Sequence, residues 1–399
     1  MLSKTKSDIV KSYAKELGFD IVGITSAEPF TETEKVTLDR IGDGLMDGLP
    51  WYNPARVKRG CHPQEILPGA RSIIAVAMSY LTENTNPQTN HISGKVGRYA
   101  WGADYHHVIQ NRLSDFVDGL SEQFGYPIQA KIYVDTGPML DRAVAERAGI
   151  GWDGKNTNIL TSSHGSWVFL GQIITDLDLE QDKPSKKNCG QCTICIDQCP
   201  TSAIIAPYVI DNTKCISYLT IECRGPIPRH LREMVGDWVF GCDICQDVCP
   251  VNRKAQTTNE PSFKTGEHGY TSLELLPLLN MTEKEFAEKF HNSPIKRAKL
   301  VGLLRNICVA LGNIGDHSAV PYLIEAMYHN EPLVRGHAAW ALGKLANTQA
   351  KIAIEKALIN ENDLSVREEM IEATTSLLHS ECQKDKPLQI SDRDSIRPV

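Results

Sequence analysis

Two short cysteine-rich runs constrain this chain more than any other feature of its sequence. The first is Cys189-x2-Cys192-x2-Cys195-x3-Cys199-Pro200, the second is Cys242-x2-Cys245-x3-Cys249-Pro250, and Cys215 lies between them. Together they contain eight of the twelve cysteines, enough for two [4Fe–4S] clusters with four thiolates each. In this spacing the cysteine before the proline ligates the other cluster. We therefore expect Cys189, Cys192, Cys195 and Cys249 to hold one cluster, and Cys199, Cys215, Cys242 and Cys245 to hold the other.

Disulfides and zinc are the alternative uses of these cysteines. A disulfide framework is typical of short secreted chains, whereas this chain has 399 residues and its start, Met-Leu-Ser-Lys-Thr-Lys, is not expected to be a secretory signal. Zinc is compatible with an isolated C-x2-C pair, but C-x2-C-x2-C-x3-C-P is not a zinc spacing. We therefore favour iron–sulfur clusters. Four cysteines remain, which we interpret as ordinary small side chains: Cys61, Cys223, Cys308 and Cys382.

Length and charge limit the classes of protein to which this chain can belong. One core rarely extends over 399 residues, so two or three domains are expected. The net charge of −7 and the pI of about 6.0 exclude a surface that is positive throughout, so any nucleic-acid contact must use a local patch. No apolar run has the length of a membrane span. We expect a soluble cytoplasmic monomer with no membrane partner.

The first 180 residues combine helical and strand patterns. Helices are predicted at 5–17 and from about Pro138 to Arg147. Buried strands are predicted at 19–24, 72–78, 131–135 and 167–174. Helices that alternate with short strands indicate an α/β domain over 1–180, followed by a ferredoxin-like two-cluster domain over 181–260.

Beyond residue 260 the pattern is helical throughout. Ala310-Leu311-Gly312 recurs as Ala341-Leu342-Gly343, and Val334-Arg335 recurs as Val366-Arg367. Such repeats predict HEAT-like helical hairpins, which stack and present a face to a macromolecule. A helical cap that only stabilises the rest is the alternative. We place a helical connector at 261–297, the repeats at 298–382 and a disordered tail at 383–399.

The sequence contains no dinucleotide fingerprint and no phosphate-binding loop after any predicted strand. An iron–sulfur protein without its own nicotinamide or flavin site takes electrons from another protein. The expected partner is an external reductant such as a ferredoxin, a flavodoxin or a reductase.

A candidate pocket lies where the third predicted strand ends, at Val134-Asp135-Thr136-Gly137-Pro138. A carboxylate that leaves a strand and precedes a helix is placed where α/β domains bind ligands, so Asp135 is either a proton donor or a helix cap. Arg142 and Glu146, one helical turn apart, fit a surface ion pair as well as a site. The aromatic stretch from Gly97 to His107 is either a ligand-binding loop or structural packing.

Four stretches together resemble the epoxyqueuosine reductase family. They are residues 97–106, 134–156 (VDTGPMLDRAVAERAGIGWDGKN), 218–228 (YLTIECRGPIP) and 241–253 (GCDICQDVCPVNR). With the order of domains, the resemblance extends over almost the whole chain. It implies cobalamin beside the two [4Fe–4S] clusters, as in the similar reductive dehalogenases. The implied substrate is tRNA bearing epoxyqueuosine in its anticodon loop, which the family reduces to queuosine.

The resemblance also assigns residues around the cofactor. Asp135 matches the family's proposed proton donor, which would protonate the oxygen that leaves the epoxide. Arg98, Arg142 and Asn156 fall in segments that surround the cobalamin, and Arg59 is carried over from Lys58-Arg59-Gly60. No D-x-H-x-x-G motif is present, so no histidine is expected below the cobalt. A helix that begins directly after Asp135 would favour the carboxylate and oppose the acid role, unless desolvation raises its pKa.

A set of basic residues is the expected tRNA-binding surface. Singly, each is interpreted as a solvated surface charge, but as a group they concentrate positive charge in an acidic chain and favour phosphate binding. The members are Arg224, Arg229, Arg232, Arg253, Lys254, Lys296, Arg297, Lys299 and Arg305. Tyr105 or Trp152 is expected either to stack on an extruded anticodon base or to pack in the core.

Two other functions remain open on the sequence. A reductive dehalogenase of small organohalides would use the same clusters and cobalamin, although the helical repeats do not favour it. A ferredoxin-type electron-transfer protein that docks through its HEAT-like repeats would need neither cobalamin nor a catalytic Asp135. Cobalt content separates this electron-transfer protein from the two enzymes.

Overall fold

The computed structural model describes residues 5–83, 91–265 and 270–384, with side chains as far as Leu377. Up to residue 175, helices and strands are interspersed as predicted. The elements are α1 (Lys6–Glu16), β1 (Ile21–Ser26), α2 (Thr31–Gly42), α3 (Pro54–Cys61), α4 (Pro63–Ile66), β2 (Ser72–Ser79), β3 (Ser93–Val96), α5 (Tyr105–Phe124), β4 (Ala130–Tyr133), α6 (Asp141–Arg147), β5 (Trp152–Asp153), β6 (Ile159–Leu160) and β7 (Val168–Thr175).

A four-stranded sheet in the order β1–β2–β7–β4 forms the centre of this part, and every neighbouring pair is antiparallel. The side chains of β2 alternate between two cores. Ile74 and Val76 face the core formed with α1 and α5, whereas Ile73 and Ala75 face the core formed with α3 and α6. Helices therefore cover both faces of β2, which explains its continuous apolar sequence. The mixed α/β architecture is confirmed, although alternating elements more often give parallel strands.

The cysteine-rich part consists of short elements joined by loops. They are α7 (Ile194–Asp197), β8 (Ile204–Ala206), β9 (Val209–Ile210), α8 (Ile216–Ile221), α9 (Arg229–Val235), β10 (Trp238–Phe240) and α10 (Ile244–Asp247). β10 pairs in parallel with β3, whose other edge pairs with the antiparallel strand β11 (Ser272–Glu274). One small sheet thus joins strands from the segments 1–180, 181–260 and 261–297.

The C-terminal part is helical. It contains α11 (Glu283–Lys289), α12 (Lys299–Ile314), α13 (Val320–Ala326), α14 (Pro332–Leu345), α15 (Thr348–Asn360) and α16 (Leu364–Lys384). α14 packs between α12 and α16, and α13 and α15 complete the helical hairpins. The predicted tail at 383–399 begins inside α16, and residues 385–399 lie outside the described residues. None of the described helices is long and apolar enough to cross a membrane.

The repeated glycines lie at the contacts of α12 with α14 and of α14 with α16. A Cβ atom on Gly312 would lie 3.0 Å from Ala341 Cα, and one on Gly343 would lie 2.9 Å from Ala373 Cα. The repeated arginines close the hairpins, since Arg335 pairs with Glu361 at 2.6 Å and Arg367 donates to the Glu361 carbonyl at 2.8 Å. The recurring glycines therefore permit close helix packing, and the recurring arginines stabilise the hairpins through polar contacts.

We predict that Gly343→Ala destabilises the protein, because its methyl group would meet the α16 backbone and the helices would have to separate. Overpacking of this kind costs about 1–3 kcal/mol. Urea unfolding followed by circular dichroism measures the change. Gly302→Ala in α12 is the matched control, since no atom lies within 4 Å of its Cβ position and helix propensity predicts a gain of up to about 1 kcal/mol. Equal unfolding midpoints for the two variants would contradict this packing role.

Candidate redox centre and active site

The cysteines of the two runs form two groups. Burial raises the pKa of the Cys195 thiol, and the nearby thiols of Cys189, Cys249 and Cys192 raise it further. Burial also raises the pKa of Cys249, and the nearby thiols of Cys189 and Cys192 raise it further. Cys249 of the second run therefore lies beside the first three cysteines of the first run.

The second group combines Cys199 with Cys215, Cys242 and Cys245. Burial raises the pKa of Cys242, and Cys215 and Cys199 add to this effect. Burial likewise raises the pKa of Cys245, with further contributions from Cys215, Cys242 and, more weakly, Cys195. These are the two sets that the crossed spacing predicts, and they adjoin each other. The ligation of iron by each thiolate stays a prediction.

The loop between β5 and β6 contacts both thiol groups. The Lys155 backbone N–H donates to Cys189 Sγ at 3.5 Å, and Asn158 Nδ2 donates to Cys245 Sγ at 3.9 Å. The buried Asn156 side chain donates to the Cys245 carbonyl at 3.2 Å. This loop therefore connects the α/β part to both thiol groups. Hydrogen bonds to sulfur also tune the reduction potential of an iron–sulfur cluster.

Two adjoining cavities, of about 480 and about 620 Å³, lie between the α/β part and the cysteine-rich part. We call them together the cleft. Asn212 and Ser217, on either side of Cys215 in the sequence, line the first cavity, and Asn158 lines the second. The cleft therefore borders the group that contains Cys215 and Cys245. Six residues line both cavities: Leu49, Tyr52, Asp135, Leu140, Asp141 and Asn212.

Asp135 lies where the two cavities meet, two residues after β4. Its φ of 57° is in the left-handed region, which aspartate tolerates better than most residues. α3 holds this loop: Arg56 donates to the Gly137 carbonyl, and Gly60 lies so close to the Pro138 carbonyl that a Cβ atom would clash. The cap interpretation was wrong, because α6 begins at Asp141 and Asp135 cannot reach its first turn.

Two side chains of α5 hold the Asp135 carboxylate. Tyr105 Oη donates to its Oδ2 at 2.9 Å, and His106 Nε2 lies 3.3 Å from the same atom. Partial desolvation at the cleft wall would by itself raise the pKa of Asp135, but the hydrogen bonds from His106 and Tyr105 outweigh it and lower the pKa. The side chain is still 64% exposed, so a molecule in the cleft can reach it.

His106 connects Asp135 to a second carboxylate. Its Nδ1 lies 2.7 Å from Asp104 Oδ1, and Asp104 also pairs with Lys296 at 2.8 Å. Burial opposes the imidazolium, but the hydrogen bonds to Asp104 and Asp135 raise the pKa of His106 to about 9. At neutral pH the ring is therefore a cation that holds a proton next to Asp135.

Asp141 is another carboxyl group in the cleft. Burial and, after it, the charge of Asp135 raise its pKa to about 7, while Gln172 Nε2 donates to its Oδ1 at 2.6 Å. At neutral pH, Asp135 is thus ionised and Asp141 is partly protonated. Two acids whose surroundings separate their pKa values are typical of sites of proton transfer.

Of the four other residues assigned to cobalamin, only Arg142 is in the lining of the cleft. Arg142 lines the second cavity and donates to the Thr157 carbonyl. Arg98 packs over the Trp167 ring at 4.8 Å and pairs with Asp247 at 2.5 Å. Arg59 is exposed on α3 and lines neither cavity. The residue of α3 that lines the first cavity with a positive charge is Arg56. Asn156 supports the Cys245 loop through its bond to the Cys245 carbonyl. Contact of these four with a cofactor stays a prediction.

The exposed basic residues fall into two places. Arg297 lines the first cavity with 47% of its side chain exposed, and Arg224 donates to the Arg297 carbonyl at 2.9 Å. Lys296 and Lys299 flank this position, although Lys296 is paired with Asp104. Arg253 and Lys254 are exposed directly after the second cysteine run. Their contact with tRNA stays a prediction.

The assignment of Arg305 to the tRNA surface was wrong. Its side chain is completely buried in α12 and donates to the carbonyls of Leu219, Cys223 and Gly225. Arg232 is likewise buried and pairs with Glu369 at 2.6 Å, and Arg229 contacts the same carboxylate at 3.1 Å. Instead of facing solvent, Arg305 and Arg232 bind the cysteine-rich part to the helical repeats.

Several residues of the cleft and of the hydrogen-bond network around Asp135 were missed on the sequence alone. Asp104 and His106 lie in the aromatic stretch that was interpreted as either a ligand-binding loop or structural packing, and their position in this stretch was the signal that could have identified them. Asp141 and Arg56 had no signal beyond their residue type. Of the two aromatic candidates, Tyr105 lines the second cavity and stacks on Phe169 at 4.2 Å, whereas Trp152 is buried.

Three family models match parts of this chain. "Epoxyqueuosine reductase QueG, DUF1730" matches residues 61–136, "4Fe-4S double cluster binding domain" matches residues 188–252, and "HEAT repeats" matches residues 302–374. The second match supports iron–sulfur clusters over zinc, and the third confirms the helical repeats.

Relatives and solved structures match much more of the chain. The epoxyqueuosine reductase of Bacillus cereus is 38% identical over 369 residues, which cover 92% of this chain and 95% of the relative. That of Escherichia coli is 37% identical over 355 residues, with coverages of 88% and 92%.

An epoxyqueuosine reductase crystallised with an epoxyqueuosine-modified tRNA-Tyr stem loop has a TM-score of 0.87 at 34% identity, over 93% of this chain and 98% of that one. A Bacillus subtilis epoxyqueuosine reductase, with its catalytic aspartate loop swung out of the active site, has a TM-score of 0.86 at 33% identity, with coverages of 92% and 98%. At this identity and coverage, the chain belongs to the epoxyqueuosine reductase family, and it is an oxidoreductase with a double [4Fe–4S] domain and HEAT repeats.

Proposed function

We propose that this protein reduces epoxyqueuosine to queuosine in a tRNA anticodon loop, and that the reaction takes place in the cleft at Asp135. The observation that carries the proposal is the position of Asp135 between a proton-holding histidine and a cleft bordered by the Cys215 group. In this proposal, electrons come from the Cys215 group and a proton comes from His106. A relative of this chain was crystallised with an epoxyqueuosine-modified stem loop, which supports the choice of substrate.

Conversion of the epoxide to the cyclopentene consumes two electrons and two protons and releases one water. We assign the electrons to an external reductant protein, from which they pass one at a time through the two clusters. We take the cluster of Cys199, Cys215, Cys242 and Cys245 as the inner one. This choice is supported by Asn158, which donates to Cys245 Sγ and lines the cleft, and by Asn212, which lines the cleft close to Cys215 in the sequence.

We assign cobalamin to the cleft. Leu49, Tyr52 and Leu140 offer it apolar surfaces, and Arg40, Arg56 and Arg142 line the two cavities with positive charge. This lining suits a flat macrocycle with an apolar ring and polar side groups. When bound, cobalamin supplies a low-valent cobalt that can deliver electrons to the epoxide carbon.

The proton for the departing oxygen comes from Asp135 in this proposal. Asp135 is ionised in the protein alone, so it must first receive a proton, and the His106 imidazolium at 3.3 Å is positioned to give it one. A bound substrate also removes water from the cleft, which favours the neutral acid. The loop swung out in the Bacillus subtilis relative is described as a catalytic loop and is named by an aspartate, which supports a catalytic role for the Asp135 loop here.

Asp135→Asn tests the acid role. We expect turnover to fall about 10²–10⁴-fold, the usual contribution of a general acid, with clusters and cobalamin still bound. The measurement is conversion of an epoxyqueuosine stem loop under strictly anaerobic conditions, followed by mass spectrometry for loss of one oxygen. Asp118→Asn, an exposed aspartate of α5, is the control. Near-normal turnover by Asp135→Asn, or failure of the wild type to convert the stem loop, would contradict the proposal.

The rate of the reaction should depend on pH through His106. The imidazolium is present at low and neutral pH and is lost as the pH rises through about 9, so single-turnover rates should fall over that range. In His106→Gln the cation is absent and the falling limb should move to lower pH, toward the titration of Asp135 itself. An unchanged pH profile in this variant would show that His106 supplies no proton.

Binding of tRNA should weaken steeply with salt, because Lys and Arg release counterions from the phosphates they contact. Arg297→Ala combined with Lys299→Ala should weaken stem-loop binding and reduce the slope of log K against log salt by about one for each phosphate that is no longer neutralised. Fluorescence anisotropy at several salt concentrations measures both. Lys356→Ala, an exposed lysine of α15, should leave them unchanged. Identical slopes for the double variant and its control would exclude the Arg297 region.

A further inference from the structure

The two thiol groups differ in what surrounds them. Around Cys242 and Cys245, the neighbouring Gly241, Asp243 and Gln246 are buried. Around Cys189, Cys192 and Cys195, the loop is exposed at nearly every position that is not a cysteine, including 186–188, 190–191 and 193–194. One cluster site therefore borders the cleft and the other borders solvent.

The solvent side of this outer site combines apolar and positive side chains. Ile194, between two cysteines of the first run, is 38% exposed, and Ile205 of the adjoining β8 is 49% exposed. Lys186 and Lys187 are exposed at the start of the same loop, where Lys187 Nζ donates to Ser162 Oγ at 2.8 Å. We name this set of four residues the outer cluster surface. Its positive charge contrasts with the net charge of −7 for the whole chain.

We propose that the outer cluster surface is the docking site of the electron donor, and that this donor is a small acidic protein carrying a flavin or an iron–sulfur cluster near its own surface. Electron-transfer complexes have small interfaces and are short-lived. A few exposed apolar side chains beside positive charge are therefore sufficient for an acidic partner to dock. In each encounter the donor is oxidised by one electron and the cluster held by Cys189, Cys192, Cys195 and Cys249 is reduced by one. The inference rests on the proposed function only in requiring an outside reductant.

Charge reversal at the two lysines tests the site. The protein carrying Lys186→Glu and Lys187→Glu is mixed in a stopped-flow instrument with reduced flavodoxin, and bleaching of the cluster absorbance is followed without tRNA. We expect the second-order rate at low salt to fall at least tenfold, because attraction becomes repulsion, and the salt dependence of the wild type to be lost or reversed. Titration with oxidised flavodoxin should show a matching loss of affinity.

Two controls separate docking from damage to the cluster. Reduced methyl viologen, a small cation, should reduce the variant as fast as the wild type or faster, with equal iron content. The protein carrying Lys284→Glu and Lys356→Glu, two exposed lysines far along the chain, should keep the wild-type rate with flavodoxin. An equal loss in this control, or no loss in the Lys186/Lys187 variant, would overturn the proposal.

Binding of tRNA is the alternative role of Lys186 and Lys187. If the Lys186/Lys187 variant loses affinity for the tRNA stem loop while its rate with flavodoxin is unchanged, the outer cluster surface binds tRNA and the donor site is refuted. Because cluster reduction is measured without substrate, a failure of epoxyqueuosine reduction would leave this result standing, and the two proposals fail separately.

Discussion

The exchange of one cysteine between the two runs is the constraint on which the rest of the structure depends. Cys249 joins the first group and Cys199 joins the second, so neither run completes its thiol set alone and the chain between them must fold back. That intervening chain carries α8 and β10, which α12 contacts through Asn306, with bonds of 2.7 Å to the Thr220 carbonyl and 2.9 Å to the Val239 carbonyl. The helical repeats are therefore attached directly to the cluster fold.

The same fold-back places the inner thiol group against the cleft. Cys215 lies in the sequence between Asn212 and Ser217, which both line the cleft, so this thiol group borders the cavity. Around Asp135, α5 supplies Tyr105 and His106, and α3 holds the loop through Arg56 and Gly60. The Asp135 carboxylate thus depends on hydrogen-bond partners rather than on a helix dipole. In the proposed mechanism, its protonation state is set by the neighbouring His106 cation and by the removal of water when a ligand enters the cleft.

Sequence patterns predicted those features that depend on local chemistry. Ligand spacing predicted the two thiol groups, continuous apolar runs predicted β2 and β7, and the recurring Ala-Leu-Gly and Val-Arg segments predicted the helical hairpins. Features that depend on partners far along the chain were missed. Arg305 has the composition of a surface residue, but carbonyls about eighty residues earlier in the chain bury and satisfy it. The raised pKa of Asp141 likewise depends on burial, on Asp135 and on Gln172 of β7, which no local pattern reveals.

The decisive measurement is whether the substrate itself oxidises the clusters. Protein loaded with cobalamin is reduced anaerobically, freed of reductant and mixed with an epoxyqueuosine stem loop, while electron paramagnetic resonance follows the reduced clusters and mass spectrometry follows the product. We expect cluster signals to disappear as queuosine forms, at two electrons per product, and a stem loop already bearing queuosine to leave them unchanged. Product formation with the clusters still reduced, or cluster oxidation without product, would contradict an electron path through the clusters to the cleft.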